Sequence, residues 1–292
     1  VNYFGGGNSA KGYQITMGVF SALAIVFFII TFATTRERVQ PDPTQRNSVR
    51  RDLADLTRNG PWVAMFVLTI IVFITLAMRG GVMLYYFKYY VGREDLFSIF
   101  NVCGTGSTLV GVIASTPLAK RFGKRDVFIA GLALTVVFTA AFVLLPRTAI
   151  ALIFGTEILR QLAYGFTIPL LWAMMADVAD FSEWKNHRRA TAVVFSAIVF
   201  ALKAGLGFGG AIGGWLLAAY GYVPNVAQTE RALQVINLTT SIYPAITFAL
   251  ALVCLFFYRI DKRLEIQITD DLAERRRTYA PAAEVPAPVP AP

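Results

Sequence analysis

Lys203 is the side chain whose position most needs a chemical reason. It stands twelve residues into the apolar run from Thr191 to Ala219. A helix rising 1.5 Å per residue carries it about 18 Å from the start of that run. A bilayer's hydrocarbon core is about 30 Å thick, so the amine falls near mid-depth, too far from either surface to snorkel. An ammonium there must border water or a carboxylate. It either couples a solute to an ion or belongs to a buried pair that only ties helices together. Glu157 and Arg160 form the next constellation, three residues apart in another apolar run and so on one helical face. They can bind each other, or they can line a cavity and hydrogen-bond a polar solute. Arg79, near one end of a third run, belongs to the same class, with interfacial anchoring as the plainer alternative.

A different kind of cluster follows at Asp177, Asp180 and Glu183, three acids at intervals of three, with Arg188 and Arg189 shortly after. Acids and bases packed where a helix leaves a membrane can form ion pairs that close a pathway and open when helices separate. Ordinary loop charge looks the same in sequence. Desolvation decides between the two, because exposed pairs contribute only about 0–1 kcal/mol.

The elements that must hold these residues are membrane helices. The chain has 292 residues, 56% of them hydrophobic and only 15% charged. Seven apolar segments stand out, at about 13–35, 62–86, 96–119, 127–145, 149–176, 191–219 and 238–258. None alternates polar and apolar residues as a transmembrane strand does, so helices must satisfy the backbone in lipid. One His and two Cys leave little for a metal site, a disulfide scaffold or a Cys/His catalytic pair. No catalytic constellation stands out, so no enzyme and no resident cofactor are expected. The net charge of +9 does not form a nucleic-acid stripe. Nineteen of the 27 Lys and Arg residues fall in connections on one side and six on the other. By the positive-inside rule that richer side, with the C-terminus, is cytoplasmic.

Within the sixth run Gly205, Gly209 and Gly213 recur every four residues beside Gly210 and Gly214, which lets another helix approach closely. Pro169 removes a backbone bond from the fifth run and predicts a bend there. Tyr85, Tyr86, Tyr89 and Tyr90 read as an interfacial aromatic belt. The stretch from Glu37 to Gly60, with Pro41 and Pro43, reads as a cytoplasmic linker. The tail 264–292 ends in a Pro/Ala-rich segment expected to be disordered.

The segment Ala176–Ala190 (ADVADFSEWKNHRRA), followed by Lys203 and a glycine-rich helix, resembles the glycoside–pentoside–hexuronide:cation symporters of the major facilitator superfamily. Leu84–Gly92 (LYYFKYYVG), Arg121–Arg125 (RFGKR) and Gly221–Gln228 (GYVPNVAQ) carry the same resemblance. It implies an all-α polytopic fold of twelve helices in two bundles, of which seven are present here. Residues 1–36 then correspond to the last helix of the N-terminal bundle, 37–60 to the linker and 61–263 to the six-helix C-terminal bundle. The Val1 start agrees with a chain lacking the five earlier helices.

The resemblance further implies a cation-driven sugar symporter working as a monomer in the (inner) cell membrane. Lys203 matches a lysine implicated in sugar and cation coupling. Asp177, Asp180 and Arg189 match charges that help seal the cytoplasmic side. Trp172 lies four positions after the place of a sugar-side Trp, where this chain has Ile168. The site for the coupling cation, Na⁺ or H⁺, is expected in the absent N-terminal half. Two alternatives stand beside this: a transporter of lysolipid-like amphiphiles, and a membrane sensor that binds without transporting.

Overall fold

Among the described residues of the computed structural model, seven helices are long and apolar enough to cross a bilayer. The structure describes Gly6 and residues 8–35, 54–188 and 190–279. Two units are distinguished, Val1–Pro43 and Thr44–Pro292. The first contains α1 (Ser9–Thr34), which starts where the Asn8 side chain accepts from the Lys11 amide. Its large apolar residues, Phe28 and Phe32 among them, are exposed.

The second unit holds α2 (Gly60–Tyr85), α3 (Phe97–Phe122), α4 (Lys124–Ala141), α5 (Ile150–Asn186) and α6 (Thr191–Ala219). Then come α7 (Glu230–Thr240), α8 (Ile242–Cys254) and α9 (Lys262–Tyr279). Asn59 caps α2 by accepting from the Trp62 amide, and Pro61 sits in the first turn, where its missing N–H costs nothing. The helix continues as a π-helical segment, Tyr86–Val91, and stops at Gly92 with φ +75°. Between α3 and α4 the whole connection is Gly123, at φ +95°. Only glycine reaches that backbone region without strain, so this residue makes the one-residue reversal possible.

Helix pairing organises the bundle. α6 packs along α2, and α5 packs along both α3 and α4, while α8 closes against α2 and α4. The apolar core divides in two. One cluster, including Met65, Leu68, Phe128, Met174, Val178 and Phe248, fills the half toward the basic connections. The other, including Tyr86, Phe87, Phe100, Phe142 and Ile153, fills the tyrosine-rich end.

Two spans differ from the sequence expectation. The fifth does not stop at Ala176: α5 is one helix of 37 residues that carries the acids on to Asn186. Val178, Ala179 and Ser182 are buried there, so tertiary packing extends a helix that hydropathy alone would end. It also passes through Pro169 without interruption. The last span begins at Glu230, not Leu238, because Ala232, Val235 and Ile236 are fully buried despite polar neighbours. It is broken at Ser241. Pro244 has no N–H to offer the Thr240 carbonyl, and its ring crowds that same group.

Outside the spans, Leu56 is only 1% exposed and joins the core, so the end of the expected linker belongs to the bundle. Of the expected tail, Lys262–Tyr279 is helix, with Ile268 and Leu272 buried. Its Pro/Ala-rich end lies outside the described residues, as do most of the linker and Arg189.

Candidate functional site

Lys203 lies twelve residues from one end of α6 and sixteen from the other. Val194, Ile198, Ala201, Gly205, Gly209 and Gly213 form the buried face of that helix. The glycines are there because α2 is so close. A Cβ on Gly205 would stand 2.7 Å from the Ile70 carbonyl oxygen, and one on Gly209 would collide with that of Ile74. Lys203 projects from the opposite face. At 100° per residue it shares a stripe with Ser196, Val199, Gly207, Gly210 and Gly214, and all of these are exposed. The bulky exposed Phe208 and Trp215 lie about a third of the circumference away, while Phe200 and Leu206 flank Lys203 about a sixth of the circumference to either side. The amine has no hydrogen-bond or ion-pair partner among the described residues. It is an accessible cation at mid-helix, on an exposed face where Gly207, Gly210 and Gly214 leave room on one side and Phe200 and Leu206 flank it.

The other three intramembrane charges meet one another. Arg79 on α2 reaches Glu157 on α5 through Nη2, 2.8 Å from Oε2. Arg160, one turn along α5, grips the same carboxylate with Nη2 at 2.6 Å and Nε at 2.9 Å. The three residues are 6%, 3% and 3% exposed, so the triad is buried inside the bundle. Arg79 has two more partners. Its Nε donates to the Thr240 carbonyl at 2.9 Å, the group that Pro244 cannot use. Its guanidinium also lies 5.0 Å from the centre of the Phe142 ring. The proline break in the last span therefore supplies an acceptor, and an arginine on the neighbouring α2 takes it. Trp172 stands apart on α5 and is 39% exposed. Neither Trp172 nor Lys203 belongs to the triad.

At the basic end the acids of α5 do not simply face Arg188. Asp177 receives both its bonds from Lys124 of α4, at 2.6 and 2.8 Å, and Lys124 also holds Glu265 of α9 at 2.9 Å. Arg188 lies 3.5 Å from Asp55 in the short helical turn before α2. Glu183 is buried and Asp180 half-buried, and both are engaged. Trp184 donates its indole N–H to Asp271, while Arg275 donates back to the Trp184 carbonyl. Lys262 closes the far side by donating to the Lys120 carbonyl. Sequence reasoning missed Glu265, Asp271 and Arg275. The available signal was the apolar pair Ile268 and Leu272, four apart in a polar segment, which marks a helix with one buried face.

The arrangement offers charge and hydrogen bonding. No group of three or more His, Cys, Asp or Glu could hold a metal among the described residues. Residues 1–262 match the family model described as "MFS/sugar transport protein". The chain belongs to that family. It is 35% identical over 287 residues to the isoprimeverose transporter of Lactiplantibacillus pentosus, covering 94% of this chain and 58% of that protein. It is 33% identical over 279 residues to the inner membrane symporter YicJ of Escherichia coli (strain K12), covering 95% and 60%. The putative glycoside/cation symporter YagG of the same strain is 31% identical over 267 residues, covering 91% and 58%. The chain thus spans 58–60% of the length of these relatives. Membership in the glycoside–cation symporter branch agrees with the segments Ala176–Ala190 and Gly221–Gln228.

Proposed function

We propose that this chain forms the C-terminal six-helix bundle and one preceding helix of a cation-coupled sugar symporter that works by alternating access. The observation that carries the proposal is the position of Lys203: a mid-helix cation on an exposed, glycine-containing face, away from the face that α6 buries against α2. A solute with hydroxyl groups finds there a strong donor beside space. The second wall of the cavity, and the site of the coupling Na⁺ or H⁺, belong to an N-terminal bundle in this reading. Movement of one bundle against the other then exposes the solute to each side in turn. The membrane potential contributes about 2.3 kcal/mol per charge carried across 100 mV.

The remaining charges fall into two groups. Arg79, Glu157 and Arg160 satisfy one another and hold α2, α5 and the broken span together. They set the shape of the cavity wall and, at 6% exposed or less, present little donor surface to a sugar. The cluster of Asp177, Asp180, Glu183 and Arg188 lies on the cytoplasmic side in this orientation. There it joins α4, α5 and α9 into one block that can meet the other bundle as a gate.

Uptake in vesicles carrying the complete protein tests the central claim. Lys203→Gln should abolish cation-driven accumulation of labelled sugar. Accumulation at the wild-type level would remove Lys203 from the mechanism. Competition by a panel of glycosides and pentosides, with a lysolipid as the contrasting solute, separates sugar cargo from amphiphile cargo.

A further inference from the structure

At the tyrosine-rich end, on the opposite side from the gate, lies an open pocket of about 430 Å³ that none of the roles above uses. It is lined by Tyr90, Arg147, Glu230, Arg231, Gln234 and Asn237. Tyr90 ends α2 in its π-helical segment, Arg147 lies between α4 and α5, and the rest belong to the first turns of α7. Tyr90, Glu230 and Arg231 stand at the ends of candidate spans and Arg147 in the connection between two others, with Gln234 and Asn237 up to two turns further in, so the charged part of the pocket falls at headgroup depth. The geometry points to a binding site for the phosphodiester headgroup of a glycerophospholipid.

Three observations carry this. First, two guanidinium groups face the cavity against one carboxylate, and Arg147 is held in place for a ligand. Its Cζ lies 4.4 Å from the centre of the Tyr90 ring, and Tyr90 is itself stacked on the buried Tyr86 at 5.0 Å and 21°. Its acidic partner Glu230 is 3.4 Å away and 85% exposed, a pair weak enough for an incoming phosphate to displace.

Second, the pocket offers acceptors as well as donors. Gln234 and Asn237 line it with side-chain amides, each able to accept as well as donate. A headgroup with hydroxyls, such as phosphatidylglycerol, brings an O–H donor for such an acceptor together with a phosphate for the arginines. A neutral sugar fits less well. Both faces of Tyr90 are covered, one by Arg147 and one by Tyr86, so no aromatic platform remains for a pyranose ring.

Third, apolar surface continues from the pocket along the bundle. Leu144 is 81% exposed three residues before Arg147, and Val137 on the adjoining α4 is 60% exposed. On α8, Ile246 and Leu250 are each 53% exposed, four residues apart on one face. α4 and α8 pack together, so both helices present exposed apolar side chains in the spans that adjoin the charged pocket. Headgroup above and acyl chains below is the arrangement of a bound lipid, and a free anion would make no use of that apolar surface.

Binding of dihexanoyl-phosphatidylglycerol to the complete protein in detergent, followed by native mass spectrometry, tests the assignment. The wild type should retain one lipid molecule. The double variant Arg147→Ala/Arg231→Ala should weaken retention about tenfold or more, as loss of charge-assisted hydrogen bonds does. Arg93→Ala, at the same end but outside the pocket, should leave retention unchanged. Should the double variant fail to fold, Arg231→Gln at an exposed position serves instead, with a smaller loss in the same direction. Unchanged retention in a folded variant would overturn the site. Equal displacement by inorganic phosphate would assign the pocket to a free anion and overturn the lipid. Displacement by a neutral glycoside would make the pocket an entry point for cargo and overturn it equally.

Discussion

Replacing Glu157 with Gln tests the buried triad most directly. The carboxylate takes bonds from both arginines: 2.8 and 3.4 Å from Arg79, 2.9 and 2.6 Å from Arg160. Glutamine keeps the shape, but it removes the negative charge and turns an NH₂ toward guanidinium donors. Two cations then remain, each at most 6% exposed, with no anion between them. Breaking a buried ion pair this way costs about 3–5 kcal/mol. Neutral hydrogen bonds between membrane helices average only about 0.6 kcal/mol and reach about 1.7. The two regimes are far enough apart to measure.

Arg79→Met provides the contrast, because it leaves Glu157 and Arg160 as a neutral pair and should cost less than Glu157→Gln. Combining the two changes should cost less than their sum, since the double variant buries one uncompensated cation where Glu157→Gln buries two. Thermal unfolding in detergent, followed by circular dichroism, reads all three. At roughly 2–4 °C per kcal/mol for a large chain, Glu157→Gln should lower the midpoint by about 6–20 °C. A loss no greater than that of Arg79→Met, or strict additivity, would show that charge compensation does not hold this region together.

Further outcomes follow from particular contacts. Gly209→Ala should impair folding, because its Cβ collides with the Ile74 carbonyl, whereas Gly213→Ala should be tolerated, since its nearest neighbour is 3.6 Å away; yields of monodisperse protein in detergent compare them. Trp184→Phe removes the donor to Asp271 and should raise hydrogen exchange in Lys262–Tyr279 at a stability cost of about 1 kcal/mol; unchanged exchange would show that α9 is held by other contacts. Asp177→Asn weakens the link between Lys124 and α5 and should shift the inward/outward balance, read by cysteine accessibility from each side of the membrane. Pro244→Ala restores an N–H to compete for the Thr240 carbonyl, so it should weaken the Arg79 bond and lower the melting midpoint by a few degrees, about 1 kcal/mol.

How much of this was legible in the sequence depended on the kind of signal. The helical class, the number of crossings and the closeness of one partner to the sixth helix all follow from the chain alone. Lipid offers no partner for backbone polar groups, so an apolar run of about 20 residues has few alternatives to a helix. A four-residue glycine repeat likewise has a narrow physical meaning. The mid-helix position of Lys203 needs only a count of residues along its apolar run.

What an intramembrane charge touches is another matter, because it depends on which helices become neighbours. Glu157 and Arg160 share a face by spacing, but Arg79 lies 78 residues before Glu157 and meets it only through the packing of α2 near α5. The acceptor for Arg79 exists because Pro244 frees a carbonyl on yet another helix. Lys124 holds both Asp177 and Glu265 for the same reason. Hydropathy is a local average, and so it ended α5 early and began the last span late. Burial of Val178, Ala179, Val235 and Ile236 extends both helices, and burial is a property of the assembled bundle. The sequence by itself thus determined which residues are costly to place in a membrane, because that cost is local; only the tertiary structure decided which are paired and which, like Lys203, face outward from the bundle.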